Sequence, residues 1–222
     1  MTGISGADQP QPEVVIIGAG PAGLWAAFQL GIHGVRSVLI DSNDRIGGQC
    51  AALYADKPVY DLPGYAAIDA DEIIRKLEDQ LARFKPVYRL GETVLAVRAA
   101  ESGFGIELTN AQPLSARFVI LSTGLGPFGV EGKPRPLDLP ARVFQPNGHL
   151  AVTVDSFETR HDNLYAIGDA IAYPGKLCLL VSAFHEAALM AFDIRKKRAG
   201  EKRTVLEYTS TSSALKALFT DR

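Results

Sequence analysis

The stretch that decides the fold is Glu13-Val-Val-Ile-Ile-Gly18-Ala-Gly20-Pro-Ala-Gly23. Four consecutive apolar residues, 14–17, end at a glycine, and this predicts a strand buried on both faces, as in a parallel sheet. A proline follows where a helix can begin, and apolar residues then recur at helical spacing until His33. A second apolar run, 37–40, completes a βαβ unit of about thirty residues. The pattern predicts an α/β fold.

Three glycines in this stretch, Gly18, Gly20 and Gly23, have the spacing of a dinucleotide-binding turn. The first makes the turn, the second lets a pyrophosphate approach the backbone, and the third lets helix and strand pack closely. The helix that begins at Pro21 offers unpaired N–H groups and a partial positive charge to phosphates. Asp41, 23 residues after Gly18, ends the second strand and is the expected ribose ligand. The motif alone does not choose between a nicotinamide and a flavin dinucleotide.

Downstream, the periodicity predicts further helices and strands. An amphipathic helix ends near Phe84 and begins at a predicted capping box, Asp69 with Glu72. The predicted strands and helices are a small meander of runs 93–99, 104–109 and 116–122, strands at 143–144, 150–154 and 163–167, and helices at 182–197 and 213–219. Glycines and prolines over 124–140 mark the internal boundary.

Composition excludes several classes of protein. The chain has 222 residues, 47% of them hydrophobic, and a formal net charge of -2, which predicts one domain and argues against nucleic-acid binding. No run is apolar enough to span a membrane, and two cysteines cannot build a disulfide framework. Residues 1–12 are expected to form a loose arm with no secretory signal, so we expect a cytoplasmic protein. The histidines lack ligand spacing, and we expect no metal site.

Three more segments extend the dinucleotide pattern: Ile46-Gly-Gly48-Gln49, Leu121-Ser-Thr-Gly124 and Tyr165-Ala-Ile-Gly168-Asp169. Together with the first βαβ unit they resemble the flavoproteins that carry two dinucleotide-binding domains. Within that superfamily, Gly47-Gly-Gln-Cys-Ala-Ala-Leu-Tyr54, Pro58-Val-Tyr-Asp-Leu-Pro-Gly64, Tyr173-Pro-Gly-Lys176 and Ser182-Ala-Phe-His-Glu-Ala-Ala188 are similar to the thioredoxin-reductase-like ferredoxin:NADP reductases. The resemblance covers about residues 13–128 and 144–214.

The resemblance implies a Rossmann-like FAD-binding domain in a homodimer. Its implied cofactor-binding residues are Gly18, Gly20, Pro21, Gly23, Asp41, Gly48, Gln49, Tyr54, Val94, Gly124, Phe128, Gly168, Asp169, Tyr208 and Ser210. Two of these, Tyr54 and Tyr208, are the implied catalytic residues, each stacked on one face of the flavin. Tyr208 would reach the flavin of the partner subunit.

The sequence departs from the family pattern between Thr123-Gly124 and Gly168-Asp169. Family members carry there a second Rossmann domain for NADPH, on the order of 100 residues, whereas Gly168 follows Gly124 by only 44 positions. A second glycine pattern, 124–129, is followed by prolines that prevent a phosphate-binding helix. We therefore expect one FAD-binding domain over 13–222, its halves 13–126 and 144–222 joined by a loop 127–143, and doubtful NADP(H) binding.

The expected function is electron transfer through the flavin, from a carrier such as a ferredoxin or flavodoxin or from diffusing NAD(P)H. The alternative is a non-catalytic flavin-binding or structural dimer. Three groups keep two interpretations each. Cys50 and Cys178 are either redox partners of the flavin or small buried hydrophobes. His185 is either a proton donor to the flavin or a packing or surface residue. The basic run 195–198, with Lys202 and Arg203, either docks an acidic carrier or is a solvated helix end.

Overall fold

The computed structural model describes residues 11–109, 111–125, 137–140, 143–145, 149–200, 204 and 209–220. In chain order its strands are β1 (Val14–Ile17), β2 (Ser37–Asp41), β3 (Pro58–Val59), β4 (Ile68–Asp69), β5 (Val87–Leu90), β6 (Val94–Ala100), β7 (Gly103–Leu108), β8 (Leu114–Ala116), β9 (Phe118–Leu121) and β10 (Leu164–Ala166). The helices are α1 (Pro21–Ile32), α2 (Gly48–Leu53), α3 (Ala70–Ala82), α4 (Leu180–Ala199) and α5 (Ser213–Thr220).

Five strands form one parallel sheet in the order β10-β9-β1-β2-β5. All four residues of β1 and all four of β9 are buried, because strands in the middle of a parallel sheet are covered on both faces. Helix α1 packs against α3 and α4. An aromatic group consisting of Trp25, Phe28, Phe84 and Phe219 joins α1 to α5. The predicted α/β class is confirmed.

A separate antiparallel sheet, β6-β7-β8, is the predicted meander, but its third strand lies elsewhere than expected. The run 116–122 does not stay in one sheet. Residues up to Ala116 pair with β7, whereas Phe118 and its successors pair with β1. Arg117 stands at the switch between the two sheets. The prediction of a meander is therefore confirmed, and its third strand is corrected to Leu114–Ala116.

Local predictions in other places were wrong. Asp69 does occupy the cap position before α3, but its side chain makes no capping hydrogen bond, because this residue also pairs with Pro58 in the β3–β4 ladder. Residues 143–144 and 150–154 form no strands. Phe144 and Leu150 make only an isolated bridge to each other, and Leu150 makes another to Ile171. Of the predicted N-terminal arm, Gln11 and Pro12 are described, and Gln11 accepts a hydrogen bond from the Ser115 N–H at 3.0 Å.

Candidate functional site: a cavity at the carboxyl edge of the sheet

The turn after β1 shows why two of its glycines are needed by the fold itself. Gly18 has φ +107°, and a Cβ there would lie 2.4 Å from the carbonyl oxygen of Ser122. A Cβ on Gly23 would lie 2.0 Å from the carbonyl oxygen of Gly18. These distances are far below van der Waals contact with backbone atoms that cannot move aside. Gly18 and Gly23 thus allow β1, α1 and the end of β9 to approach one another.

Gly20 is different, because none of its described neighbours requires a glycine there. Its φ is -74°, which any residue adopts, and the nearest atom to a Cβ would be the Cα of Gly48 at 3.8 Å. Gly48 faces it from α2 with φ +53°. Both glycines line a cavity of about 300 Å³. A Cβ on Gly20 would fill part of this cavity, so the missing side chain leaves room for a ligand rather than for the fold.

The cavity runs along the carboxyl ends of β1, β2, β9 and β10, where ligands bind in open parallel sheets. Of the residues predicted to bind a cofactor, the lining includes Gly18, Gly20, Pro21, Asp41, Gly48, Gln49, Val94, Gly124, Gly168 and Asp169. The structure thus brings together ten positions that are spread over 152 residues of sequence. Gly23 lies behind the wall, packed against Gly18.

Asp41 ends β2 as predicted, but its carboxylate already serves the protein. Its Oδ2 accepts the N–H of Ala19 at 2.7 Å, and its Oδ1 accepts both the N–H and the side-chain amide of Asn43 at 2.9 Å. The residue is only 8% exposed. An ionised carboxylate has about four acceptor positions, and three are used here. Asp41 therefore ties the glycine turn to the end of β2, which sequence reasoning did not foresee.

Ser122 is a second residue whose role was missed. Its Oγ is within hydrogen-bond distance of the carbonyl oxygens of Gly18 (2.9 Å) and Ile17 (3.1 Å), so it holds the end of β9 against the glycine turn. Gln49 approaches the same region, because a Cβ on Gly124 would lie 3.9 Å from its Nε2. A serine before the Thr-Gly pair was visible in the sequence, but nothing in its spacing pointed to these carbonyls.

The far end of the cavity is formed by Gly168 and Asp169, which follow β10. Gly168 has φ +72° and donates its N–H to Oε2 of Glu186 on α4 at 2.7 Å. Glu186 is completely buried. The sequence placed it within a family-like motif without assigning it a role. The beginning of α4 lies beside this turn, and Leu179, Leu180 and Ala183 line the cavity there.

Both cysteines line the cavity, in different states of burial. Cys178 is exposed, whereas Cys50 is half-buried. Burial, together with the negative charge of Asp169, raises the pKa of the Cys50 thiol. A thiol with a raised pKa carries little thiolate at neutral pH and is a weak nucleophile. This observation favours the interpretation of Cys50 as a small packing residue.

The remaining predicted residues lie outside the cavity lining or outside the described residues. Tyr54 follows α2, is 44% exposed and has the Lys57 ammonium 4.5 Å from its ring centre. Ser210 is exposed ahead of α5. His185 is exposed on α4, which favours its interpretation as a surface residue. Phe128 and Tyr208 lie outside the described residues, so their predicted roles stay predictions.

Comparison with known proteins agrees with this arrangement. Residues 16–81 match the family model of an NAD(P)-binding Rossmann-like domain. A ferredoxin–NADP reductase of Rickettsia massiliae is 34% identical over 188 residues, which cover 83% of this chain and 51% of the relative. One from Rickettsia canadensis is 43% identical over 122 residues, covering 55% of this chain and 36% of the relative. The chain is thus a homologue of ferredoxin–NADP reductases over part of their length.

Solved structures with the same fold include thioredoxin reductases. A thioredoxin reductase of Gloeobacter violaceus superposes with a TM-score of 0.73 at 15% identity, covering 90% of this chain and 99% of the other. One from T. acidophilum has a TM-score of 0.70 at 16% identity, with coverages of 86% and 100%. The chain spans about half the length, or less, of the curated ferredoxin–NADP reductases it matches.

Within the described ranges, no group of three or more His, Cys, Asp or Glu side chains is arranged to hold a metal ion. None of the helices in the part of the chain that the structure describes is long and apolar enough to cross a membrane.

Proposed function

We propose that the cavity binds FAD and that this protein belongs to the ferredoxin–NADP reductase family. It would then be a flavin-dependent oxidoreductase that passes electrons through its flavin from a carrier protein or from diffusing NAD(P)H. The observation that carries the proposal is that Gly20 and Gly48 face each other at the cavity without side chains. None of the described neighbours requires a glycine at position 20, and a pyrophosphate would occupy the space that a side chain there would fill. The cavity continues from Asp41 to Asp169, along the carboxyl ends of the strands, as an elongated dinucleotide requires.

The start of α1 supports a phosphate position at this point. Its first residue is Pro21, which has no N–H, and no side-chain hydrogen bond from a described residue caps the helix. The N–H of Ala22, which lines the cavity, is the group proposed to meet an anion, and the helix adds its partial positive charge. Asp41, Ser42 and Asn43 line the neighbouring part of the cavity and are the proposed contacts of the adenosine ribose.

The start of α4 supports a flavin position at the other end of the cavity. Bound FAD supplies the chemistry, which is the reversible uptake of electrons by its isoalloxazine ring. The residues of this chain only hold and tune that ring. The N-terminus of α4 directs partial positive charge at the cavity, which stabilises negative charge there. Asp169 is the proposed ligand of the ribityl hydroxyls.

The short segment between Gly124 and Gly168 is the reason for proposing an external electron donor. Forty-four positions leave no room for a second Rossmann domain of about 100 residues. We further propose a homodimer in the cytoplasm, in which Tyr54 contacts one flavin face and the partner's Tyr208 the other, with Phe128 and Ser210 as additional contacts.

An anaerobic titration of the FAD-reconstituted protein tests the proposal. NADPH is added first and dithionite second, and the flavin absorbance bands are followed throughout. Bleaching by NADPH identifies a reductase that needs no dedicated nicotinamide domain, and bleaching by dithionite alone points to a protein donor. A protein that retains no FAD after reconstitution and gel filtration contradicts the proposal. Bound flavin that neither reagent reduces at a useful rate would favour the non-catalytic dimer.

A further inference from the structure

Three donors converge on one buried carboxylate behind the cavity. Glu186 accepts the N–H of Gly168 on Oε2 at 2.7 Å and the Tyr173 hydroxyl on Oε1 at 2.9 Å. The Lys176 ammonium forms an ion pair with the same Oε1. Glu186 is fully buried, and the Lys176 side chain is only 5% exposed. One carboxylate on α4 thus joins the turn after β10 to the segment 173–176.

Tyr173 remains a hydrogen-bond donor over the whole physiological range. Burial and the hydrogen bond to Glu186 raise the pKa of Tyr173 to about 12. The Lys176 ammonium also lies 5.6 Å from the centre of the Tyr173 ring. The two donors on the segment 173–176 therefore act together on Glu186.

The carboxylate holds the backbone where the sheet ladder ends. The N–H of Ile167 still donates to the carbonyl of Leu121 in β9 at 3.0 Å. The next N–H, that of buried Gly168, points to Glu186, and the residue after it is Asp169 at the cavity wall. Glu186 does not itself line the cavity. Of its three partners named above, Gly168 is the one that lines the cavity.

Stability alone does not account for this arrangement. A buried ion pair loses so much hydration that well-packed apolar residues of similar size often stabilise a protein as much or more. A buried ion pair can instead serve to specify one backbone conformation. Here that conformation is the turn at the cavity wall in which Gly168 has φ +72°. We propose that Glu186 is a positioning residue that fixes the Gly168–Asp169 turn and so sets how tightly FAD is held. This inference rests on the proposed function.

The test compares two double variants of the full chain that both remove the charged pair. E186L/K176M takes away the acceptor of the Gly168 N–H, whereas E186Q/K176M keeps an amide oxygen in its place. Without FAD, we expect the leucine variant to unfold at a lower temperature than the glutamine variant, because it leaves the buried Gly168 N–H without an acceptor. We expect its FAD dissociation constant to rise by about tenfold or more, with shifted flavin absorbance bands. The glutamine variant should restore the binding constant and the bands.

A matched control is Tyr165→Phe, which removes another buried hydrogen bond to α4. The Tyr165 hydroxyl donates to Asp193 at 2.8 Å and does not touch the turn or the cavity. This variant should unfold at a lower temperature and keep the wild-type dissociation constant and spectrum. A purely structural role of Glu186 would lower the unfolding temperature alone, as in this control, whereas a positioning role also raises the dissociation constant and shifts the flavin bands.

Failure of the inference and failure of the proposed function are distinguishable. A wild-type protein that does not bind FAD overturns both before any variant is made. Equal dissociation constants and spectra for E186L/K176M and the wild type overturn only the inference. A second measurement does not depend on the variants folding: the Gly168 amide should be strongly protected from hydrogen exchange in the FAD-free wild type, and rapid exchange would also overturn the inference.

Discussion

The charged side chains at the two edges of the parallel sheet differ in their burial and in their partners. At the carboxyl edge, Asp41 and Glu186 are 8% and 0% exposed, and both accept backbone N–H groups that shape the cavity. At the amino edge, a surface groove is lined by Glu13, His33, Arg117, Arg195, Arg198 and Ala199. There Arg198 pairs with Glu13 at 2.7 Å, with a third of each side chain exposed. Exposed pairs of this kind contribute little to stability.

Helix α4 connects the two edges and fixes the distance between them. Leu180 lines the cavity, and Arg198 pairs with Glu13 at the start of β1. Eighteen residues of α-helix span about 27 Å. A carrier docked on the basic run 195–198 would therefore stand about 27 Å from the start of α4, by the same helix geometry. This distance between the basic run and the proposed flavin position at the start of α4 favours the interpretation of the run as a solvated helix end.

The largest effects are expected from alanine substitutions in the glycine turn, where the fold needs Gly18 and the proposed ligand needs Gly20. Gly18→Ala places a Cβ 2.4 Å from a backbone oxygen at φ +107°, and we expect it to lower the free energy of unfolding by about 3 kcal/mol or more. Gly20→Ala should leave the unfolding temperature unchanged and raise the FAD dissociation constant about tenfold or more. Calorimetry of the FAD-free protein and a flavin titration measure the two quantities.

The control for both substitutions is Gly105→Ala on β7, where a Cβ meets no atom within 4 Å and φ is not positive. It should change neither stability nor binding. If Gly20→Ala binds FAD like the wild type, the cavity does not hold a pyrophosphate at this point.

The second effect concerns the carboxylate that ties the glycine turn to β2. Asp41→Ala leaves the buried Ala19 N–H without its acceptor, which should cost about 1–3 kcal/mol of stability. FAD retention should weaken as well, and Asp41→Asn, which keeps one oxygen, should lie between. Chemical denaturation and FAD occupancy after gel filtration measure these effects. Unchanged occupancy in Asp41→Ala would count against the ribose position.

A smaller effect is expected from the thiols in the cavity wall. Cys178 is exposed and should react with iodoacetamide first, whereas Cys50 should react slowly because its pKa is raised. Because the pKa of the Cys50 thiol is raised, its labelling rate should keep rising with pH after an unburied thiol is already ionised. FAD should protect both thiols. Mass spectrometry follows the labelling, with urea-unfolded protein as the reference, and faster labelling of Cys50 would contradict this description.

The smallest effect is expected at the amino edge. The double variant R195Q/R198Q should bind FAD like the wild type and lose about 1 kcal/mol of stability or less. Its flavin should be reduced or oxidised by a ferredoxin at the wild-type rate in stopped-flow experiments at low salt. A large drop in that rate would show that the carrier docks at the amino edge and that the basic run is not merely a solvated helix end.

Much of the fold could be predicted because its decisive signals are local. Four apolar residues followed by spaced glycines specify β1, the turn and the start of α1 without reference to distant parts of the chain. Helix α2 was missed because its first residue, Gly48, follows another glycine, Gly47, and both have positive φ values. Packing against α3 stabilises it instead of intrinsic propensity. Strand β5 was missed because its Tyr-Arg centre shows no clean alternation.

The candidate site also contains some residues whose roles could be predicted from local sequence and others whose roles could not. Its glycines and Asp41 could be predicted, since turn geometry and strand ends leave marks in the sequence. Glu186 and Ser122 could not be assigned roles, because these depend on backbone atoms 18 and 104 residues away. The position of Arg117 could not be foreseen either, since one continuous β-prone run changes sheets there.

The place of β1 in the middle of the sheet has a consequence for synthesis. One side of β1 pairs with β2, about twenty residues later, but the other side pairs with β9, about a hundred residues later. At 5–20 residues per second, the ribosome needs about 5–20 s to deliver that partner. During this time Val14–Ile17 present an apolar strand with an unpaired edge, which is a template for aggregation. Nascent chains should therefore depend on chaperones until β9 has emerged.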